Sequence, residues 1–191
     1  MLEQDETPRR SDATRAAILD AARRRFAADG FQKATIRAIA ADADIDPSMV
    51  MRYYGNKDGL FAAAVDVDLG LADLGDIDRD RLGETLLRHA IKVWERPPAS
   101  EILLTLLRSS ITDDRAIAKL QEIFAGQVMP AVLRTGDPED APRRAGLMAT
   151  QVLGIALTRY ILKLPPVVAM TPDQLVAYIA PTLQRYLTST P

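Results

Sequence analysis

The twenty residues DADIDPSMVMRYYGNKDGLF, 42–61, decide the fold. Asp46 followed by Pro47 is a helix start. The Asp side chain can accept from free amides of the first turn, and a proline at the first helical position lacks only an N–H that would go unpaired anyway. Gly55 then breaks the helix, and Asn56 can cap the next one. Between them, PSMVMRYY sets Val50 and Tyr54 four residues apart, on a face expected to meet the core. Pro47, Ser48, Met49, Met51, Arg52 and Tyr53 fall on other faces. Exposed methionines and a tyrosine on so short a helix suit a surface that meets something.

The neighbouring segments supply the scaffold. Over 11–29, Ile18, Leu19, Ala22 and Phe26 recur on one helix face, and Gly30 is placed to cap its C-terminus. Thr35 caps a second helix, IRAIAADA, with Ile36, Ile39 and Ala40 inward. Two helices of eight or nine residues joined by a four-residue turn are marginal alone and need a longer partner, which 11–29 provides. This is the layout of a helix-turn-helix, whose second helix enters the major groove. Arg pairs bidentately with guanine, Ser and Tyr hydroxyls reach phosphates, and Met packs on a thymine methyl. Thr35 and Lys57 stand at helix N-termini, where phosphates are favoured. A tri-helical bundle with scattered surface apolar groups is the alternative reading.

Residues 11–65 resemble the N-terminal domain of the TetR family of bacterial transcriptional regulators. The motifs are ordered: Gly30-Phe31 for G-F/Y, Thr35, Ile39 and Ala40 for T-x-x-x-I-A, and Tyr53, Tyr54, Lys57 and Leu60 for Y-Y/F-x-x-K-x-x-L. The resemblance implies that Thr35, Arg37, Pro47, Ser48, Met49, Arg52, Tyr53 and Lys57 lie at or near DNA, while Tyr54 is a core aromatic. One position departs from the pattern. Asp44 stands in the turn where the family usually has glycine. Asp tolerates the left-handed conformation better than most residues, but it brings a negative charge near phosphates.

The rest of the chain reads as helices at 80–96, 99–112, 114–134 (with Pro130 as a possible kink), 141–164 and 172–188, about nine in all. The resemblance implies a C-terminal ligand-binding and dimerisation domain over 66–191, after a polar arm at 1–10 and the DNA-binding domain at 11–65. Helix 141–164 is apolar on most sides and carries small residues such as Gly146 and Gly154. With Leu175, Ile179, Leu183 and Tyr186 of the last helix it suits either a homodimer interface, which the resemblance implies, or a monomeric core. A two-fold dimer would place its recognition helices about 35 Å apart on a palindromic operator. Trp94, Phe124, Met148 and Tyr160 are candidate walls for a small-molecule effector pocket, and Arg108 and Arg159 candidate polar anchors. His89, the only histidine, reads as a surface or core residue.

Composition narrows the remaining classes. Apolar residues make up 48% of the 191, enough for a sizeable core. Net charge is −2, and residues 8–57 hold ten basic and six acidic side chains, so DNA contact must come from placed groups rather than bulk charge. The absence of cysteine suits a reducing cytosol and excludes thiolate metal sites. MLEQDETPRR lacks the apolar run of a signal peptide, and the 13-residue run 145–157 is too short to span a bilayer. An all-helical enzyme is disfavoured by the single His and the lack of a Glu-x-x-His pair. The carboxylates of 66–78 miss the calcium-loop spacing, so neither metal nor cofactor is expected. The expected fold is all-α. The expected function is a ligand-responsive transcriptional repressor in the cytoplasm. The alternative is a protein of the same fold that binds ligand or protein and no longer binds DNA.

Overall fold

All three expected caps form. Thr35 Oγ1 accepts from the Ala38 amide at 3.1 Å and starts α2 (Ile36–Asp42). Asp46 accepts from the Ser48 amide at 2.8 Å and starts α3 (Pro47–Tyr54), with Pro47 in its first turn. Asn56 accepts from the Gly59 amide at 2.8 Å and starts α4 (Lys57–Ala64). Ahead of them, α1 (Arg10–Lys33) breaks at Gly30, where φ is +71°, so this glycine does end the regular helix. The turn between α2 and α3 closes through Asp44 at φ +54°, the left-handed conformation required there. Ile45 N–H returns to the Ala40 carbonyl at 2.9 Å.

The computed structural model describes residues 10–71 and 78–188. Apart from Arg10, the polar arm expected at 1–10 lies outside them, as do positions 72–77 of the acidic stretch. Every element among the described residues is helical, and the chain divides into two compact units, Met1–Asp66 and Val67–Pro191.

In the first unit Ile18, Ala22, Phe26, Ile39, Val50 and Leu60 are fully buried. Phe26, Phe31 and Phe61 form a ring cluster with centroids 5.0–5.9 Å apart, two of the three contacts edge-on, as the ring quadrupoles favour. Arg23 of α1 donates to the Ala64 carbonyl at 3.0 Å and closes the open end of α4. Tyr54 is less deep than expected. It is half-buried because its hydroxyl must reach a partner, the Arg15 carbonyl at 3.3 Å.

In the second unit a 3-10 turn (Arg79–Arg81) leads into α5 (Leu82–Glu95), followed by α6 (Ala99–Ser109). Next, α7 (Asp114–Ile123) passes through a π-helical turn (Phe124–Val128) into α8 (Met129–Leu133). The irregularity at Pro130 thus takes the form of one widened turn just before it, with Met129 N–H bonded to the Phe124 carbonyl. Then α9 (Ala141–Ile155) ends in a second π turn (Ala156–Ile161). Where a plain break was expected, the Pro-Pro pair starts a short helix, α10 (Pro165–Val168), since prolines fit a first turn. The chain closes with α11 (Pro172–Thr188).

The core of this unit lies between α5, α9 and α11. Gly83 makes the α5–α11 contact possible. A Cβ there would overlap the Ala180 carbonyl oxygen and lie 2.5 Å from the Gln184 amide nitrogen. Gln184 Oε1 accepts from the Gly83 amide at 2.7 Å across that contact. The close approach corrects one expectation. Leu175 and Leu183 are consumed inside the chain at 1% and 0% exposure, so they are not free for a partner. The outward face of α11 instead carries Tyr178, which is 77% exposed.

The helix 141–164 is two-sided rather than covered all round. Ala145, Met148, Ile155 and Ala156 are buried, whereas Leu153, Leu157 and Leu162 remain 40–56% exposed. Cβ atoms built on Gly146 and Gly154 would meet nothing within 4 Å.

Candidate DNA interface and ligand cavity

The surface of α3 is organised by tyrosine and arginine. The guanidinium carbons of Arg15 and Arg52 each lie 5.1 Å from the centroid of the Tyr53 ring, which fixes two cations over one aromatic. Arg52 also donates to the Tyr53 hydroxyl at 3.4 Å. Pro47, Ser48, Met51 and Arg52 are exposed, and Met49 and Tyr53 are half-buried. Thr35 and Arg37 are exposed at the start of α2. Hydrogen bonds from Ser48 hold the Asp46 carboxyl below the usual carboxylate range, so the cap is charged and complements the start of α3.

Lys57 makes contacts inside the chain that its position in the sequence does not announce. Its Nζ donates to the Gln32 carbonyl at 3.1 Å and sits 4.5 Å from the centroid of Phe31, tying α4 to the end of α1. Arg15 is the residue on this surface that sequence reasoning missed. It lies some forty residues before Tyr53, and no local pattern links the two.

Within the second unit is a cavity of about 140 Å³. Leu86, Ala90 and Trp94 of α5 line it, with Phe124 and Val128 of the first π turn and Met148 and Val152 of α9. Of the four residues expected as walls, Trp94, Phe124 and Met148 line this cavity. Tyr160 stacks on Trp94 with centroids 6.3 Å apart, but it borders a smaller neighbouring cavity. Its hydroxyl donates to Glu95 at 3.0 Å, and burial followed by that bond pushes its pKa up to about 12.

Neither expected anchor lines the cavity. Arg108 is exposed on α6. Arg159 donates to the carbonyls of Val167 and Met170, both at 2.8 Å, because α10 is too short to satisfy its own last carbonyls. His89 does line it, and its Nε2 meets the Leu69 carbonyl at 2.6 Å.

Segment 67–71 forms one side of this cavity through Leu69 and Leu71. It is held by side chains. Gln127 of the π turn accepts from the Leu69 amide and donates to the Val67 carbonyl, both at 2.7 Å, and Arg134 donates to the Leu71 carbonyl at 2.9 Å. Gln127 was invisible in the sequence because its partners are backbone atoms some sixty residues away.

Comparison with known proteins agrees with this architecture. Residues 18–64 match the family described as bacterial regulatory proteins, tetR family, and residues 80–187 match the tetracyclin repressor-like C-terminal domain. A TetR-family regulator from Streptomyces coelicolor A3 superposes with a TM-score of 0.69 at 28% identity, covering 96% of this chain and 99% of its own. NalD, the secondary repressor of the MexAB-OprM multidrug efflux pump in Pseudomonas aeruginosa, is 19% identical, with a TM-score of 0.65 and 92% and 96% coverage. SmeT, in a complex with triclosan, is 23% identical, with a TM-score of 0.61 and 86% and 90% coverage. The last two share the fold. No curated protein is significantly similar to the chain. With both of its units matched, one to the DNA-binding domain and the other to the C-terminal domain, the chain belongs to the TetR family of transcriptional regulators.

Proposed function

We propose that this regulator is a homodimeric, ligand-responsive repressor that binds a palindromic operator and is released from it by a small molecule. The observation that carries the reading is the surface of α3, where Tyr53 braces Arg52 and Arg15 beside Ser48 and Met49. Cations already held in place lose little freedom on meeting a base edge or a phosphate. Arg52 is the base reader in this reading, Pro47, Ser48, Met49 and Tyr53 line the contact, and Thr35, Arg37, Lys57 and Arg15 face the phosphate backbone.

The outer stripe of Gly146, Leu153 and Gly154 on α9 and Leu157 in the π turn after it, together with Tyr178 on α11, is the proposed dimer surface. Its glycines admit a close helix approach and its leucines supply the apolar area. The apolar cavity is the proposed effector site. Effector would favour a dimer whose two recognition helices no longer match the operator spacing. No helix among the described residues is long and apolar enough to cross a membrane, and the proposed place of action is the cytoplasm, with the DNA.

Gel shifts with fragments flanking the gene test the reading. Selective, salt-sensitive binding is expected, and Arg52→Ala should cost about 1–3 kcal/mol and relax specificity at one position. Binding that ignores sequence, or an Arg52→Ala protein with unchanged affinity and specificity, would overturn it.

A further inference from the structure

Resting on the reading of the cavity as the effector site, we infer that its ligand is a neutral one-ring molecule bearing one hydroxyl, of the phenol class, and that this hydroxyl inserts between His89 and the Leu69 carbonyl.

The wall excludes charge. Among the described residues that line the cavity, none is an Asp, Glu, Lys or Arg, and the side-chain donors are His89 and the indole N–H of Trp94. An ammonium or carboxylate entering it would shed its water and find no opposite charge. Volume limits size. An engineered apolar cavity of about 150 Å³ takes up benzene, and this one has about 140 Å³.

The hydroxyl follows from hydrogen-bond accounting. A carbonyl only accepts, so the 2.6 Å contact requires that Nε2 carry the hydrogen and donate to Leu69. A ligand group that takes His89 as its donor leaves the Leu69 carbonyl without one. An ether or ketone can only accept, so it strands that carbonyl. A hydroxyl accepts from Nε2 and donates to the carbonyl, satisfying both.

Insertion has a mechanical result. Two hydrogen bonds meeting at one oxygen span about 4.5 Å, so the His89–Leu69 separation must grow from 2.6 Å. Gly70 packs against the same ring, where a Cβ would lie 3.6 Å from His89 Cε1, and its φ of +63° marks the bend that would be displaced. Segment 67–71, which follows directly on the DNA-binding unit in sequence, thereby moves with occupancy of the cavity.

Calorimetric titration of the full chain with four small probes tests the inference. 4-Ethylphenol and its isomer 4-methylanisole share one formula and one ring; moving a carbon from the alkyl group onto the oxygen removes its ability to donate. Ethylbenzene has no polar group, and 4-methylbenzoate is charged. The expected order places 4-ethylphenol about tenfold or more tighter than 4-methylanisole, with ethylbenzene weaker than 4-ethylphenol and 4-methylbenzoate unbound. His89→Leu should bring 4-ethylphenol down to the level of ethylbenzene while ethylbenzene stays within about twofold. Val152→Trp should abolish binding of all probes by filling the cavity.

Equal affinity for the two isomers, binding of the benzoate, a phenol preference that survives His89→Leu, or no binding by any probe would each overturn the inference. The isomer comparison uses the unaltered protein, so it decides the matter even if a variant misfolds. A gel shift with 4-ethylphenol separates the two readings. His89-dependent binding without operator release supports the ligand class and defeats the effector reading. Release by another molecule, from a protein that ignores the phenol, does the reverse.

Discussion

Arg25 holds the Asp42 carboxylate with two nitrogens, Nε to Oδ2 at 2.6 Å and Nη2 to Oδ1 at 2.7 Å, fastening the last residue of α2 to α1. The hydrogen bonds from Arg25 keep the Asp42 carboxyl below the usual carboxylate range. The unfolded chain therefore takes up this proton more readily than the folded one. The stabilisation is present above about pH 4 and is lost as acid protonates Asp42 in the folded state. Asp42→Asn should lower the melting temperature at pH 7, and the gap to the parent should close as the pH falls below about 4. Melting curves followed by circular dichroism across that range check it, and a gap independent of pH would refute the assignment.

Arg144 is 2% exposed and ties the loop 135–140 to the last turn of α11. It donates to Thr135 at 2.8 Å, to the Asp137 carbonyl at 2.7 Å and to the Leu187 carbonyl at 3.3 Å, and its Nε lies 3.8 Å from Asp140. Arg144→Met keeps much of the volume but takes the donor from the buried Leu187 carbonyl and from the half-buried Thr135. The expected loss is about 3 kcal/mol, read by urea unfolding.

The proposed dimer surface makes a clean prediction at Gly154. A side chain there meets nothing inside the chain, so Gly154→Arg should leave the melting temperature of the isolated chain nearly unchanged. It should also convert the dimer to monomer in analytical ultracentrifugation. A Gly154→Arg protein that sediments as a dimer would move the interface elsewhere.

What the sequence revealed and what it hid divide along a physical line. Thr35, Asp46 and Asn56 were readable because a cap is a local event, completed within three residues. Gly30 was readable because a helix end needs a conformation that glycine reaches easily. That Trp94, Phe124 and Met148 turn inward was readable because apolar residues at helical spacing must be covered. Lys57, Arg159, Gln127 and Arg144 were not, because each binds backbone carbonyls, and a carbonyl leaves no mark in a sequence. Gly83 was equally silent. Its reason for being glycine is Ala180, almost a hundred residues on. The anchors failed for a related reason. Periodicity places Arg108 on a helix without saying whether its face looks inward.

The turn at Asp44 carries one more prediction. Replacing it with glycine relieves a left-handed backbone conformation while freeing the unfolded chain, so stability should change by no more than about 0.5 kcal/mol. Removing the negative charge should tighten operator binding at low salt, with the gain shrinking as ionic strength rises. Titrations of Asp44→Gly at two salt concentrations measure it.

Aspartate and glycine codons differ by a single base, GAC against GGC or GAT against GGT. One point mutation that leaves every residue of α3 as it is should thus reset the grip of the proposed repressor on its operator. Such a change would alter how tightly the regulator binds its DNA without altering which sequence it reads.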